Sequence, residues 1–410
     1  MLFYDTAVIG GGASGLAAAI SSAEMNDKTI VLEAGNRCGR KILASGNGRC
    51  NILNTINKKY YGDSEFAENV LQKCDAEVQI RFWKKYGLFI SVEENGCAYP
   101  FTHHSSSVLE TLLTAAEMNK VDIRVNERVH SVKKTKDIFY IETNDNTYTA
   151  RRVIVACGGF VQEKLGGSFS GYEILKGFGH YIEPVSPALT PIRTDSRSVS
   201  GLAGIRVRCR IAVVVNGNEV HSERGELLFT EYGISGICAM QCSRFVIPDK
   251  SFCSVDLADG LFTDNNSLIS ELHRRREVFG EMKPEYLLNG ICLPKLSFAV
   301  CKQAGLSMRG ERINDLTEEN IMDIAKHLRN YRMKAIGSLD QSHAQVTAGG
   351  ASCKEFLPDN MESRLISGLH ATGEVLNVDG DCGGYNLMFA FGSGLLAGYN
   401  RRHDARYPFK

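Results

Sequence analysis

The sequence offers no net charge, since 47 basic residues are matched by 47 acidic ones. A neutral chain exerts no long-range pull on a polyanion, so nucleic acid is not the default partner. Local basic groups such as Arg206, Arg208 and Arg210, or Arg274–Arg276, leave that partner open, although residues of both signs nearby read as ordinary solvated surface. No basic segment followed by an apolar run and a cleavage site begins the chain, so no secretory signal is expected. Nowhere do about 18 apolar residues run uninterrupted, which argues against a membrane-spanning helix. Thirteen cysteines without such a signal point to a reducing cytoplasm and free thiols. They include no Cys-x-x-Cys, and no Cys/His grouping has zinc-ligand spacing, so no metal is expected. A small-molecule substrate is the partner these absences favour, and nothing here sets an oligomeric state.

What is present is a globular composition, 43% hydrophobic and 23% charged, over 410 residues, too many for one ordinary core. Its 40 glycines cluster in particular turns, where backbone must approach a ligand closely. The opening reads strand, turn, helix, strand: Thr6–Ile9, Gly10–Gly15, Leu16–Met25 and Thr29–Leu32. A loop rich in Gly, Arg and Asn runs from Gly35 to Asn54. Apolar spacing at Phe66, Val70, Leu71, Val78, Phe82 and Trp83 predicts one amphipathic helix over 65–86. Ser106–Asn119 reads as a helix, Asp122–Val132 and Ile138–Thr143 as strands, and Thr149–Ala156 as a strand ending in Gly158-Gly159.

From about residue 190 the character changes. Arg206–Val215 and the stretch after Asn218 read as a hairpin turning at Asn216-Gly217. Asn265–Phe279, Leu287–Lys302 and Thr317–His327 read as helices, and the glycine-rich style returns at Thr347. The expectation is one discontinuous domain, 1–190 with 347–410, interrupted by an insertion.

Gly10-Gly11-Gly12-Ala13-Ser14-Gly15 is a GxGxxG between strand and helix. Gly10 permits the tight turn, Gly12 lets backbone reach a pyrophosphate, and Gly15 lets the helix pack on the strand. The helix N-terminus then presents free N–H groups and a positive dipole end to phosphate. Glu33 closes the second strand, 18 residues past Gly15, where a carboxylate would bind ribose hydroxyls and repel a 2′-phosphate. FAD rather than NAD is indicated by the C-terminus. Leu369–Ala371 reads as a strand, Thr372-Gly373-Glu374 offers an acid to a ribityl hydroxyl, and Gly380–Gly384 leads into a closing helix, Tyr385–Asn400. A Gly383-Gly384 turn at a helix start suits N–H contacts to the flavin edge that becomes anionic on reduction. Gly392, Gly394, Ala397 and Gly398 leave that helix a smooth face.

The run Gly39-Arg40-Lys41-Ile42-Leu43-Ala44-Ser45-Gly46-Asn47-Gly48-Arg49-Cys50-Asn51 resembles a signature of the BaiN/YhiN-like, or aminoacetone-oxidase-like, bacterial FAD proteins. Ala371–Gly380, Gly383–Leu387 and Val346-Thr347-Ala348-Gly349-Gly350 are similar to two further motifs of that family, in the same order. The resemblance implies an α/β, Rossmann-type FAD-binding domain of the glutathione-reductase-like superfamily, interrupted by a β-barrel and a small helical insert. Mapped onto this chain, the barrel would be 191–262 with 308–346 and the helical part 263–307. It further implies cofactor contacts from Gly10, Gly12, Ala13, Ser14 and Gly15 at the pyrophosphate and Glu33 at the ribose. Arg40 and Lys41 would lie beside the cofactor, and Gly46, Asn47, Gly48, Arg49 and Cys50 near the isoalloxazine. Val129 would touch adenine through its backbone, Gly373 and Glu374 would meet the ribityl chain, and Gly384, Asn386 and Leu387 the pyrimidine edge. Asn377, Thr372 and Asn47 stand where the family commonly has aspartate, alanine and glycine, and Asn47 falls where substrate is expected.

No catalytic residue stands out. Cys50 and Tyr385 are the candidates nearest the expected flavin, with Cys38 as a distant thiol partner. Tyr99, His103, His104, Tyr172 and His180 are further proton donors to consider, each equally readable as packing or capping. No second GxGxxG is present, so NADH or NADPH would bind transiently. The expected activity is an FAD-dependent oxidoreductase driven by NAD(P)H that reduces an activated C=C bond, steroid-like or bile-acid-like in one branch of the family. Alternatives are an aminoacetone-type amine oxidase and an RNA-modifying flavoprotein that reduces uridine.

Overall fold

Ala7, Val8 and Ile9 are fully apolar and buried because the strand that holds them, β1 (Leu2–Ile9), is flanked by parallel strands on both sides. The structure is a computed structural model that describes residues 2–56, 60–306 and 311–399. Beside β1 run β2 (Thr29–Glu33) and β3 (Asp122–Val125), all parallel. On its other side lies β6 (Thr147–Val155), whose first half pairs antiparallel with the meander β4 (Val129–Thr135) and β5 (Ile138–Thr143). The second half of β6 pairs in parallel with β7 (Leu369–Ala371), from near the chain's end. The strand order 3-2-1-6-7 reverses direction at β1, which leaves a crevice at the carboxyl ends of β1 and β6, the usual ligand position in such sheets.

The chain divides into two compact units, 1–187 with 344 onward, and 188–343. In the first, the helix after β1 (Ala13–Glu24) packs against the closing helix (Tyr385–Gly398). A Cβ at Gly394 would overlap the Ser14 carbonyl oxygen, and one at Gly398 the carbonyl oxygen of Ala18. The two backbones therefore run side by side in the same direction, and Ser21 Oγ donates to the Leu395 carbonyl at 2.9 Å. The far end of the closing helix is held by Arg152 on β6. Its guanidinium donates to the Ala397 and Gly398 carbonyls, both at 3.3 Å, and to Asp27 at 2.8 Å. A cation at that position also complements the negative end of the helix.

The second unit holds a closed six-stranded barrel, in the order Ile192–Thr194, Gly233–Ser235, Asn218–Thr230, Arg206–Val215, Ser251–Asp256, Tyr331–Ser338. Alternation is strict in the last of these, with Tyr331, Met333 and Ala335 inside. Asn216 and Gly217 both have positive φ, as a two-residue hairpin turn requires. Helices Asn265–Phe279, Pro294–Gln303 and Glu318–Arg329 complete the unit. The α/β class with a barrel insert thus stands as expected.

Three element boundaries differ from expectation. Residues 65–86 form two helices, Ser64–Lys73 and Ala76–Lys85, because the Asp75 side chain accepts the Val78 N–H at 2.9 Å and starts a new helix. Asp122–Val132 is split at Asn126, which takes a left-handed conformation between β3 and β4. Leu287–Lys302 is not one helix, since Pro294 lacks an N–H and can occupy only a first turn, where the observed helix begins. The closing helix ends at Gly398, and the expected terminus at Asn400 lies outside the described residues.

The side-by-side helices give a stability prediction. Gly394→Val should destabilise the protein by about 3 kcal/mol or more, because the added atoms meet backbone rather than a movable side chain. Denaturant midpoints for Gly394→Val against wild type check this, and an unchanged midpoint would refute the packing.

Candidate functional site

At the carboxyl end of β1 the chain turns through Gly10–Gly15 into a helix with no side-chain cap. A Cβ at Gly15 would overlap the Gly10 carbonyl oxygen, whereas one at Gly12 would meet nothing within 4 Å. The N–H groups of Gly12, Ala13 and Ser14 have no intrahelical acceptor and point out of the first turn with the positive end of the dipole. Glu33 shapes this turn: its two carboxylate oxygens accept the N–H groups of Gly11 and Gly35, each at 2.7 Å. Each oxygen keeps a second lone pair for a ligand hydroxyl. Beyond Glu33, the N–H of Glu127 donates to its carbonyl at 2.9 Å and that of Asn126 to Gly35 at 2.8 Å. That places Val129, buried at the start of β4, two residues past the contact.

A second set of groups gathers where the closing helix begins. Its N-cap, Gly384, is left-handed and supplies no side chain, so the amides of Tyr385, Asn386 and Leu387 lack intrahelical acceptors. Gly373, at the turn before Glu374, packs against Ser14, which joins this segment to the first helix. Gly394 sits on Ser14, and Tyr385 lies nine residues earlier in the same helix. Because the first helix starts one residue before Ser14, the closing helix projects about 12 Å past that start, at 1.5 Å per residue. Between the two ends, Lys41 Nζ lies 3.3 Å from Glu374 Oε2. The other carboxylate oxygen of Glu374 accepts the Thr347 N–H at 2.8 Å. Thr347 Oγ1 in turn accepts the Phe160 N–H at 3.1 Å. Thr347 was visible beforehand only as part of a motif.

Gly46, Asn47, Gly48 and Cys50 all have positive φ, a concentration of rare backbone in one loop. Just after it, Asn51 and Leu53 press on Gly384, which brings this loop to the closing-helix N-terminus. Other expected residues are committed elsewhere. Arg40 donates to the Lys164 carbonyl. Asn386 spends its side chain on Gly380, accepting its N–H and donating to its carbonyl, both at 2.8 Å, and has only its backbone amide to offer. Arg49 turns to the opposite side of the loop, 2.9 Å from both Glu93 and His103 and 4.3 Å over the Tyr99 ring. His104 Nδ1 meets Ser106 at 2.8 Å.

The residues present fit a long, polar cofactor. Among the described residues, Thr372 Oγ1 and Asn51 Oδ1 are buried without a hydrogen-bond partner. The first lies beside Gly373 and the second against Gly384. An unsatisfied buried polar atom costs about 1–3 kcal/mol, so these two, next to the two turns, fit places where a ligand's polar groups belong.

The thiols around this site are poorly suited to redox chemistry. All thirteen cysteines are free. Burial holds Cys50 up at about 11, and burial with the Glu33 charge holds Cys38 at about 12, so both stay protonated near neutrality. Cys157 is likewise raised to about 12 by burial, and Cys382 lies 3.8 Å from Gln345 Oε1. Burial also raises the Tyr385 hydroxyl to about 12. Its ring meets Tyr60 edge-on, and its carbonyl accepts the Tyr60 hydroxyl at 3.0 Å. His180 stands in a Ser–His–Glu chain, 2.9 Å from Ser363 and 2.8 Å from Glu355. Ser363 Oγ already accepts the N–H groups of Leu365 and Ile366, both at 3.0 Å, so it caps a turn and is not poised as a nucleophile. No group of three or more His, Cys, Asp or Glu among the described residues could hold a metal, and no described helix is long and apolar enough to cross a membrane.

A glycine turn braced by an acid at one end of the crevice, with a second glycine-capped helix at the other, fits a FAD-binding Rossmann-type oxidoreductase. The chain belongs to the HI0933-like protein Rossmann-domain family, whose profile matches residues 4–400. It is 32% identical to a 3-dehydro-bile acid delta(4,6)-reductase of Clostridium scindens, over 95% of this chain and 97% of that one. It is 28% identical to the ribosomal RNA dihydrouridine synthase of Escherichia coli, over 95% and 96%. Among solved structures, a 3-ketosteroid-delta4-(5alpha)-dehydrogenase from Rhodococcus jostii aligns with a TM-score of 0.49 and 15% identity, over 97% and 96% of the two chains.

Removing the Glu33 carboxylate should free the two backbone amides of Gly11 and Gly35 and loosen the turn. Glu33→Ala is expected to weaken FAD binding roughly tenfold or more, measured by fluorescence titration, and unchanged affinity would remove Glu33 from the site. The buried thiols also set an alkaline limit. Cys38, Cys50, Cys157 and Cys253 ordinarily ionise near 9.0 but are held at about 11 to 12 when folded. Above pH 9 the unfolded chain releases these protons first, so stability is full below that point and falls as pH rises toward 11. Urea midpoints that stay flat across this window would contradict the burial.

Proposed function

We propose that this protein is an FAD-dependent reductase that transfers hydride to an activated C=C bond of a small molecule, with NADH or NADPH as its transient electron donor. The carrying observation is the 32% identity, along nearly the full length of both chains, to a 3-dehydro-bile acid delta(4,6)-reductase. A double bond conjugated to a ketone, on a steroid-like frame, is the substrate class this supports. FAD, when bound, supplies the hydride chemistry itself. The chain's part is to hold and polarise it. First-turn amides of Gly12, Ala13 and Ser14 receive the pyrophosphate, and Glu33 the ribose. Lys41 and Glu374 stand beside the ribityl region as an ion pair of 3.3 Å, with Thr347 fixing the carboxylate from behind. Amides of Asn386 and Leu387 at the closing-helix N-terminus favour negative charge on the pyrimidine edge, which stabilises the reduced form.

A second reading, reduction of uridine in RNA, draws on the 28% identity to a ribosomal RNA dihydrouridine synthase. The zero formal charge of the chain weighs against it.

Anaerobic stopped-flow separates these. NADH or NADPH should bleach the visible absorbance of the bound flavin, and a bile acid carrying a 3-keto-4-ene should restore it. Restoration by ribosomal RNA alone would overturn the small-molecule reading in favour of the second. Bleaching by aminoacetone but by neither nicotinamide would overturn both and make the protein an amine oxidase.

A further inference from the structure

Two thiols in the barrel unit have an arrangement that the proposed reductase chemistry does not use. Cys209, on the strand Arg206–Val215, stands directly opposite Gly225 on the neighbouring antiparallel strand. Residues so paired project to the same side of a sheet. Gly225 projects nothing, and Cys238, on the short helix Ile237–Cys242, packs against it within the buried core of the unit. A Cβ built on Gly225 would fall 3.3 Å from Cys238 Cβ and 3.9 Å from its Sγ. The missing side chain thus lets Cys238 come down beside Cys209, and the two thiols hydrogen-bond to each other. Cys238 also lies 3.3 Å from the Glu226 carbonyl, to which its S–H donates. Both residues are buried, 4% and 1% exposed.

We propose that Cys209 and Cys238 are a dithiol that hydrogen peroxide converts to a disulfide, an oxidative modification site in the insert. The shared hydrogen bond makes the two sulfurs unequal. It is the leading cause that lowers Cys238 and raises Cys209, because Cys209 donates and Cys238 accepts. Cys238 is therefore the attacking sulfur and Cys209 the resolving one. The Cys238 thiolate attacks one peroxide oxygen, an S–O bond forms, the O–O bond breaks, and the departing hydroxide takes up the thiol's proton as water. Cys209 sulfur then attacks Cys238 sulfur, the S–S bond forms, the S–O bond breaks, and a second water leaves. Two thiols and one peroxide give one disulfide and two waters, with two electrons passing from sulfur to oxygen. Cys253, in the adjacent strand, is raised to about 12 by burial alone and gains no such activation.

The test uses the full-length, FAD-loaded protein under native conditions. Equimolar peroxide is added, remaining thiols are alkylated in denaturant, and peptides are mapped by mass spectrometry. A dithiothreitol-reversible cross-link joining the Cys209 and Cys238 peptides is expected, forming roughly tenfold faster than any loss of free Cys253. Cys209→Ser should stop at a sulfenic acid on Cys238 that dimedone traps, while Cys238→Ser should leave Cys209 reduced. A cross-link to any other cysteine, or oxidation of Cys209 and Cys238 no faster than Cys253, would overturn the proposal. The wild-type map decides it even if a variant fails to fold.

Discussion

The site depends on how closely two helices approach. Where the first helix and the closing helix run together, Gly394 and Gly398 bring backbone against backbone, with no side chain between them. That contact fixes the offset between their N-termini, and hence the separation of two sets of unsatisfied amides. Each helix start carries roughly half a positive charge. Held at a constant spacing, the two helix starts present two separate sets of anion-favouring amides. Arg152 fixes the opposite end of the closing helix through its terminal carbonyls and Asp27, so the helix cannot slide along its partner.

The parallel sheet determines where this pair of helices points. Because β1 sits where the strand order reverses, the loops after β1 and β6 diverge, and the first helix begins in the gap. Glu33 then does two things with one carboxylate. By accepting amides from Gly11 and Gly35, it holds the glycine turn and the following loop in register, and it faces the same crevice as the helix start. Farther along, the Lys41–Glu374–Thr347 network ties residues separated by more than three hundred positions, so both chain ends contribute to one polar wall.

The two glycine turns, the helix starts and the position of Glu33 were readable in the sequence because their determinants are local. A glycine turn, a following helix and an acid at a fixed spacing each follow from near neighbours, and so does the Gly383-Gly384 start of the closing helix. What escaped was decided by single side chains in competition. The periodicity over 65–86 carried no sign that Asp75 would cap a new helix, since the apolar spacing continues across the break. The Asn386 side chain closes the Gly380 turn, a contact that no local pattern announced. Arg49 belongs to a cofactor-like motif but is drawn to Glu93, His103 and Tyr99, which lie far enough along the chain that no spacing rule connects them. The Cys209–Cys238 pair depends on which residue faces Gly225 across a ladder, a register that composition does not encode.

The side-by-side helices also bear on how the protein is made. One helix precedes the barrel unit in the chain, and its partner is synthesised only after that whole unit. While translation proceeds, the first helix has no glycine face to lie against, and β6 lacks β7. The barrel unit, by contrast, has every strand on hand before the closing helix is made. Capture of a cofactor between the two helix starts therefore waits until the closing helix has been made and has slotted against a helix that emerged much earlier.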